Sequence, residues 1–462
     1  MPALIPFSGE EGVPFLIHTF SFIDPRGNVE QYFILDVESG AVHMVDHAAY
    51  LVASALERGS DVASIDLPLD ELEEILAEFS ELREAGMFDS IELQPPATQE
   101  TTQVIKAMCL HMAHDCNLRC KYCFASTGEF HGARMLMPFS IAKAALDFLI
   151  ARSGKRKHLE VDLFGGEPLM NFEVVKETVA YGRELEKKHG KVIRFTMTTN
   201  GLALTEDKIE YLNREMHNVV LSLDGRRDVH DALRPTVNGK GSYDAILPKL
   251  KALVAARGEK EHYVRGTFTN LNLDFLEDVK ALYEEGFRQI SIEPVVLGKE
   301  SPYAITQEHL PRIMEEYDKL ARYLMNSRRE GKWFNFFHFM LDMDNGPCLK
   351  KRITGCGAGT EYVAVTPDGD IYPCHQFVGE EAFKMGNVLD NSFDDSLQKP
   401  FQACNVRTKP ACRQCWAKYF CSGGCAANAW KYQKDISVPD EIACALERKR
   451  TECAIGIHSL ER

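Results

Sequence analysis

Cys116, Cys120 and Cys123 fall within one eight-residue stretch of the run His114-Asp-Cys-Asn-Leu-Arg-Cys-Lys-Tyr-Cys-Phe124, spaced C-x3-C-x2-C. Three thiols so close on a short segment oblige the chain to form a loop around something all three can hold. Three thiolates can carry three irons of a [4Fe–4S] cluster and leave the fourth iron open. An open iron can take a small molecule through an amine and a carboxylate and pass it an electron. A structural zinc knuckle fits poorly, because no fourth ligand follows at the usual short spacing. Unrelated buried thiols are the bland alternative, and the spacing argues against them.

The rest of the composition agrees with a metal-binding chain of a reducing compartment. The 462 residues include 14 cysteines, and the opening Met-Pro-Ala-Leu-Ile-Pro is too short for a signal peptide. Dense cysteine without an export signal reads as metal ligands rather than disulfides, so the expected location is the cytoplasm. A net charge of −15 argues against nucleic acid or an anionic membrane as the main partner. No stretch reaches the ~20 apolar residues of a membrane span. An apolar content of 45% suffices for two or three domains with cores of their own.

Four segments separate along the chain. Residues 1–95 hold apolar runs at 15–23, 32–37 and 41–45, with a Glu38-Ser-Gly40 turn between the last two. Helical patterns follow at 47–57 and 69–85, closed by Gly86. A Pro-rich polar stretch from Pro95 links to residues 103–305. There strands are expected at 107–113, 159–164, 193–198, 219–223, 263–269 and 290–295, with helices between them. Six βα units imply an α/β fold, a parallel sheet with helices outside and chemistry at the C-terminal strand ends. Residues 306–340 form a bridging region with a helix near 307–329. Residues 341–462 carry ten of the 14 cysteines among short strands and many glycines, a core that small being built around bound metal.

Three further segments end successive strands. In Phe164-Gly-Gly-Glu-Pro168, Gly165 and Gly166 expose backbone to a ligand's amine and Glu167 offers it an anionic partner. Thr198-Thr199-Asn200-Gly201 offers hydrogen bonds to ribose hydroxyls, and Ser222-Leu-Asp-Gly225 is followed by Arg234. Singly, each is an ordinary turn or strand end. Together with the cysteine triplet, and with Tyr122 just before its last Cys, residues 105–300 resemble the radical S-adenosylmethionine (SAM) enzymes. The resemblance implies a partial (β/α)6 barrel of TIM type, with a [4Fe–4S] cluster on Cys116, Cys120 and Cys123. It implies SAM contacts from Tyr122, Gly165, Gly166, Glu167, Thr199, Asn200, Ser222 and Arg234, the last two on the SAM carboxylate. It further implies cleavage of SAM to methionine and a 5′-deoxyadenosyl radical that takes a hydrogen atom from substrate. His111 and His114 read as strand-end hydrogen-bond partners, and Cys109, Cys404 and Cys453 as small buried hydrophobes.

Cys412-x2-Cys415-x5-Cys421-x3-Cys425, followed by Cys444, makes a second pattern, with Cys356 and Gly369-x4-Cys374 upstream. Zinc would fit that spacing alone; beside the first triplet, iron–sulfur is the better reading. The region resembles the SPASM domain, which implies two auxiliary [4Fe–4S] clusters and three in all. By that resemblance Cys412, Cys415, Cys421 and Cys444 hold an outer cluster, and Cys356, Cys374 and Cys425 an inner one. Cys348 is the candidate fourth inner ligand; otherwise that position stays open for a substrate thiolate.

Residues 1–95 resemble the winged-helix-like recognition module of enzymes that modify ribosomally made peptides, which binds a leader peptide as an added strand. The segments Phe33–Asp46 and Cys356–Phe377 are similar in wording to thioether-forming ranthipeptide and sactipeptide maturases. This implies a radical SAM oxidoreductase that joins a Cys sulfur to an acceptor-residue carbon in a Cys-rich precursor, reduced by flavodoxin or ferredoxin. In the implied reaction the inner cluster binds the thiolate and accepts the leftover electron. A formylglycine-forming sulfatase maturase and a carbon–carbon crosslinking maturase are the competing enzymes. An iron–sulfur electron carrier is the non-enzymatic alternative, and it leaves the Gly-Gly-Glu-Pro segment without a use.

Overall fold

The computed structural model describes residues 15–92, 104–343 and 349–461. Strands β1 (Ile17–Asp24), β2 (Val29–Asp36) and β3 (Val42–Val45) form an antiparallel sheet in the order β1-β2-β3. Gly40 closes the last turn at φ 77°, a conformation open to glycine at little cost. Helix α1 (His47–Glu57), capped by the Asp46 side chain on Ala49 N, and helix α2 (Leu69–Glu84) follow. The period-two alternation of β2 then divides two cores. Ile34 joins Ile17, Val52 and Phe79 under the helices, while Phe33 and Leu35 join Phe20 and Phe22 in the main core of the molecule.

β1 lies against the C-terminal helix Glu441–Glu461, where a Cβ on Gly456 would stand 2.6 Å from the Phe22 ring. His18 of β1 is held between Glu57 (3.0 Å) and Glu452 (3.1 Å) and stacks on Trp416 with ring centres 3.8 Å apart. At the other edge, β3 pairs with β2 and with no further strand among the described residues.

The second sheet has eleven strands and opens on the alternation expected from sequence. Strands β4 (Ala107–Ala113), β5 (His158–Gly165), β6 (Val192–Thr199), β7 (Asn218–Ser222), β8 (His262–Phe268) and β9 (Gln289–Pro294) run parallel in chain order. Helices α3 (Phe139–Arg152), α4 (Phe172–His189), α5 (Glu206–Glu215), α6 (Arg227–Leu233), α7 (Tyr243–Arg257) and α8 (Phe275–Glu284) connect them. This is the parallel α/β arrangement of a partial barrel. Along β8, buried His262, Val264, Gly266 and Phe268 alternate with more open Tyr263, Arg265 and Thr267. One face of the strand thus joins the apolar layer under the helices and the other lines the lumen.

The ends of this sheet were not foreseen. β10 (Asn335–Phe336) adds parallel to β9, and β11 (Tyr362–Val365) adds parallel to β4. β12 (Asp370–Tyr372), β13 (Gly386–Asn387) and β14 (Ser392–Phe393) continue antiparallel beyond it. The Cys-rich region therefore extends the barrel sheet. These strands are two to four residues long, too short for any period to be read from sequence. Helix α9 (Leu310–Arg329) is joined to the C-terminal helix by the Lys449–Asp318 pair (2.6 Å). No helix among the described residues is long and apolar enough to cross a membrane.

Candidate active site

The C-terminal ends of β4 to β9 surround a cavity of about 270 Å³. The loop after β4 brings Cys116, Cys120 and Cys123 to its wall, held in place by Arg119 N on Pro235 O (2.8 Å) and Lys121 N on Leu233 O (2.9 Å). Gly165, at φ 116°, and Gly166 allow the end of β5 to press against this loop: added Cβ atoms would lie 2.3 Å from Ala113 O and 2.1 Å from Asp115 O. Gly166 N then donates to Ala113 O at 2.7 Å and Glu167 N to Asp115 O at 2.9 Å. The sequence reading assigned these glycines to a ligand; their close approach to the cysteine loop is an equally direct reason for them.

Glu167 is buried and its carboxylate accepts from Leu169 N (3.0 Å), the Thr199 hydroxyl (2.8 Å) and Asn200 N (2.8 Å). A carboxylate has about four acceptor positions, so one is left for an amine in the cavity. Thr199 spends its hydroxyl on Glu167, whereas Thr198, one residue earlier, also lines the cavity. Asn200 Nδ2 donates to Asn117 Oδ1 at 2.8 Å and reaches Cys116 Sγ at 3.6 Å, tying β6 to the thiol loop. Tyr122 donates its hydroxyl to Asp224, whose carboxylate also lies 3.0 Å from Arg234 Nε. Ser222 and the buried Arg234 both line the cavity.

Burial pushes the Cys116 and Cys120 thiols up to about 12, with Glu167 adding to the effect at Cys116 and Arg234 opposing it at Cys120. Such thiols are neutral alone and ionise when a cationic metal group binds among them. Three cysteines, a spare acceptor on Glu167 and the buried guanidinium of Arg234 fit an iron–sulfur cluster carrying an amino acid-like ligand.

The second cysteine group divides in two. Cys412, Cys415, Cys421 and Cys444 line a cavity of about 460 Å³. Cys425, four residues after Cys421, instead lies close enough to Cys356 and Cys374 for their charges to interact. Cys348 lies outside the described residues. Among the described residues no three Cys, His, Asp or Glu converge on a single-ion site; the thiolates of a cluster, one to each iron, stand farther apart. Cys109 and Cys453 are buried, and the Cys404 thiol donates to Ile436 O at 2.9 Å.

His111 Nδ1 and His114 Nε2 are 3.0 Å apart in the buried strand end, and desolvation brings His114 down to about 4. The sequence reading missed the residues that enter from elsewhere. His375 and Gln376 reach the cavity from the Cys-rich region, and burial lowers His375 to about 4. Arg265, Thr267 and Glu293 reach it from the inner faces of β8 and β9. An arginine alternating with apolar residues in a barrel strand was the one available signal for the last group.

A family model described as the radical SAM superfamily matches residues 110–284, and one described as an iron-sulfur cluster-binding domain (SPASM) matches residues 356–416. A Cys-type anaerobic sulfatase-maturating enzyme of Clostridium novyi is 25% identical over 336 residues, covering 68% of this chain and 86% of the relative. The mycofactocin maturase MftC of Mycolicibacterium smegmatis is 27% identical over 357 residues, covering 74% and 84%. Among solved structures, anSMEcpe with bound AdoMet superposes with a TM-score of 0.64 at 17% identity, covering 77% of this chain and 98% of that one. Streptococcus suis SuiB bound to precursor peptide SuiA gives 0.55 at 15% identity and covers 92% and 98%.

Proposed function

This chain is a radical SAM protein with a SPASM domain, and from that premise we propose that it is a peptide maturase forming intramolecular thioether crosslinks in a ribosomally made, Cys-rich precursor. Cys116, Cys120 and Cys123 would hold the cluster that binds SAM; Glu167 would accept from the SAM amine, and Ser222 and Arg234 would hold its carboxylate. Cys412, Cys415, Cys421 and Cys444 would hold the outer auxiliary cluster, and Cys356, Cys374 and Cys425 the inner one. When bound, these groups supply a radical that takes one hydrogen atom and a sink for the electron that the thiol gives up. The chain's own residues fix both ligands at the strand ends and keep water from the reacting carbon.

The edge of β3 that pairs with no further strand among the described residues carries the peptide reading. It belongs to a small sheet docked on the molecule's main core, and it offers a leader peptide a strand to pair with. The greater share of this chain covered by SuiB than by anSMEcpe, 92% against 77%, is in keeping with such a module. A flavodoxin or ferredoxin is the proposed electron donor. The sulfatase-maturating relative makes formylglycine formation the second reading.

The test is mass spectrometry of the Cys-rich peptide encoded beside this gene, after anaerobic incubation with the reconstituted protein, SAM and a reductant. Loss of two hydrogens per crosslink, with those sulfurs no longer alkylatable, is the expected result. The same loss with every thiol free means a carbon–carbon bond, and an aldehyde that reacts with hydrazides means formylglycine. If Cys120→Ala still produced 5′-deoxyadenosine, the assignment of the cysteine loop would fall.

A further inference from the structure

Two guanidiniums line the cavity. The charge of Arg234 acts on Cys120 and Tyr122, at the cysteine end. The charge of Arg265 acts on Glu293 and His375. Arg234 is buried against Asp224, while the Arg265 side chain is 53% exposed to the lumen and makes no hydrogen bond among the described residues. Its Nε lies 3.6 Å from Glu293 Oε1, too far for a hydrogen bond.

Glu293 is held firmly. Its Oε1 accepts from the Ser291 hydroxyl at 2.9 Å, and its Oε2 lies 3.1 Å from His338 Nε2. Arg450 Nη1 donates to His338 Nδ1 at 3.1 Å, which orients the imidazole beside Glu293. Burial would raise this carboxyl, but His338, Arg265 and Arg450 together bring it well below the usual range, so it is charged. A fixed acceptor and an unspent donor fork thus face the same space from adjacent strands.

Resting on the peptide-maturase reading, we infer that Arg265 and Glu293 form a clamp for one extended residue of the substrate peptide, whose carbonyl and N–H point to the same side, Arg265 donating to that carbonyl and Glu293 accepting from that N–H. The pair is neutral overall, so a neutral group with one acceptor and one donor satisfies both partners and leaves no charge unbalanced. A substrate carboxylate would satisfy Arg265 but face the fixed charge of Glu293. The clamp decides which carbon meets the radical, and so sets the coupling between SAM cleavage and crosslinking.

The test measures 5′-deoxyadenosine released per crosslink formed, and the peptide KM, in the reconstituted full-length enzyme and in Arg265→Gln and Glu293→Gln. The clamp predicts that either change raises the ratio about tenfold or more, because a misplaced peptide lets the radical be quenched unproductively. A defect of folding alone lowers both products together and leaves the ratio at the wild-type value; that result overturns the clamp. A lower peptide KM in Glu293→Gln also overturns it, since relieved repulsion marks a carboxylate as the ligand of Arg265. If the wild type yields a peptide product other than a thioether, the parent reading falls, and the ratio counted against that product still decides the clamp. A wild-type enzyme that modifies no peptide overturns both.

Discussion

At the scale of the residue, the site depends on backbone approach as much as on thiols. Gly166→Ala puts a Cβ 2.1 Å from Asp115 O, a backbone atom that cannot swing aside. The cysteine loop must shift, and 5′-deoxyadenosine formation is expected to fall about a hundredfold, as for other displacements of ~1 Å. Gly190→Ala is the control, because nothing lies within 4 Å of its Cβ; its positive φ costs stability of about 1 kcal/mol and leaves the product rate alone. Asp162 makes a second prediction. Burial, and secondarily Glu160, raise it to about 7 from an ordinary 3.8, against a smaller opposing hydrogen bond from Tyr362. A carboxyl whose folded pKa is raised takes up a proton on folding, so stability falls as pH climbs from about 4 to about 7 and is flat above. Asp162→Asn removes that slope and is expected to gain on the order of 2 kcal/mol over wild type between pH 5 and pH 8. Denaturant melts of both proteins across this range check it, and an offset independent of pH would contradict it.

Among elements, the contact of β1 with the C-terminal helix runs against local propensity. A glycine inside a helix is unfavourable by up to about 1 kcal/mol relative to alanine, yet Gly456 sits where any side chain would strike the Phe22 ring. Gly456→Val is therefore expected to lower stability by about 1–3 kcal/mol through overpacking. Adding Phe22→Leu, which makes room, should recover part of the loss in a thermal melt. Additive losses in the double variant would show that the two side chains do not compete for the same space.

For the molecule as a whole, a buried charge pair helps fasten the small sheet to the Cys-rich region, beside the stack of His18 on Trp416. Glu38 Oε1 lies 2.6 Å from Lys418 Nζ, and Tyr419 donates to Glu38 Oε2 at 2.8 Å. Lys418 lies between Cys415 and Cys421 in the chain. Glu38→Ala leaves the ammonium buried without its carboxylate, at a cost of about 3 kcal/mol. The iron proposed for Cys412, Cys415, Cys421 and Cys444 should then be lost faster to a chelator, and an unchanged rate would show that this charge pair does not steady the cysteine loop. The cysteine spacings, the strand-end motifs and the run of βα units were legible because each is local: ligand spacing, turn chemistry and period repeat within a few residues. Chain order alone specified a parallel α/β sheet and brought Cys116, Cys120 and Cys123 to its first strand end. What the tertiary structure alone decided is the part of the cavity wall that comes from β8, β9 and the Cys-rich region. His375 arrives because β11, four residues long, pairs beside β4 across more than two hundred residues of chain. Arg265 and Glu293 meet there because adjacent parallel strands in register turn the same faces inward. Contacts between residues so distant in sequence leave no local period or motif, so only the folded sheet could bring them together.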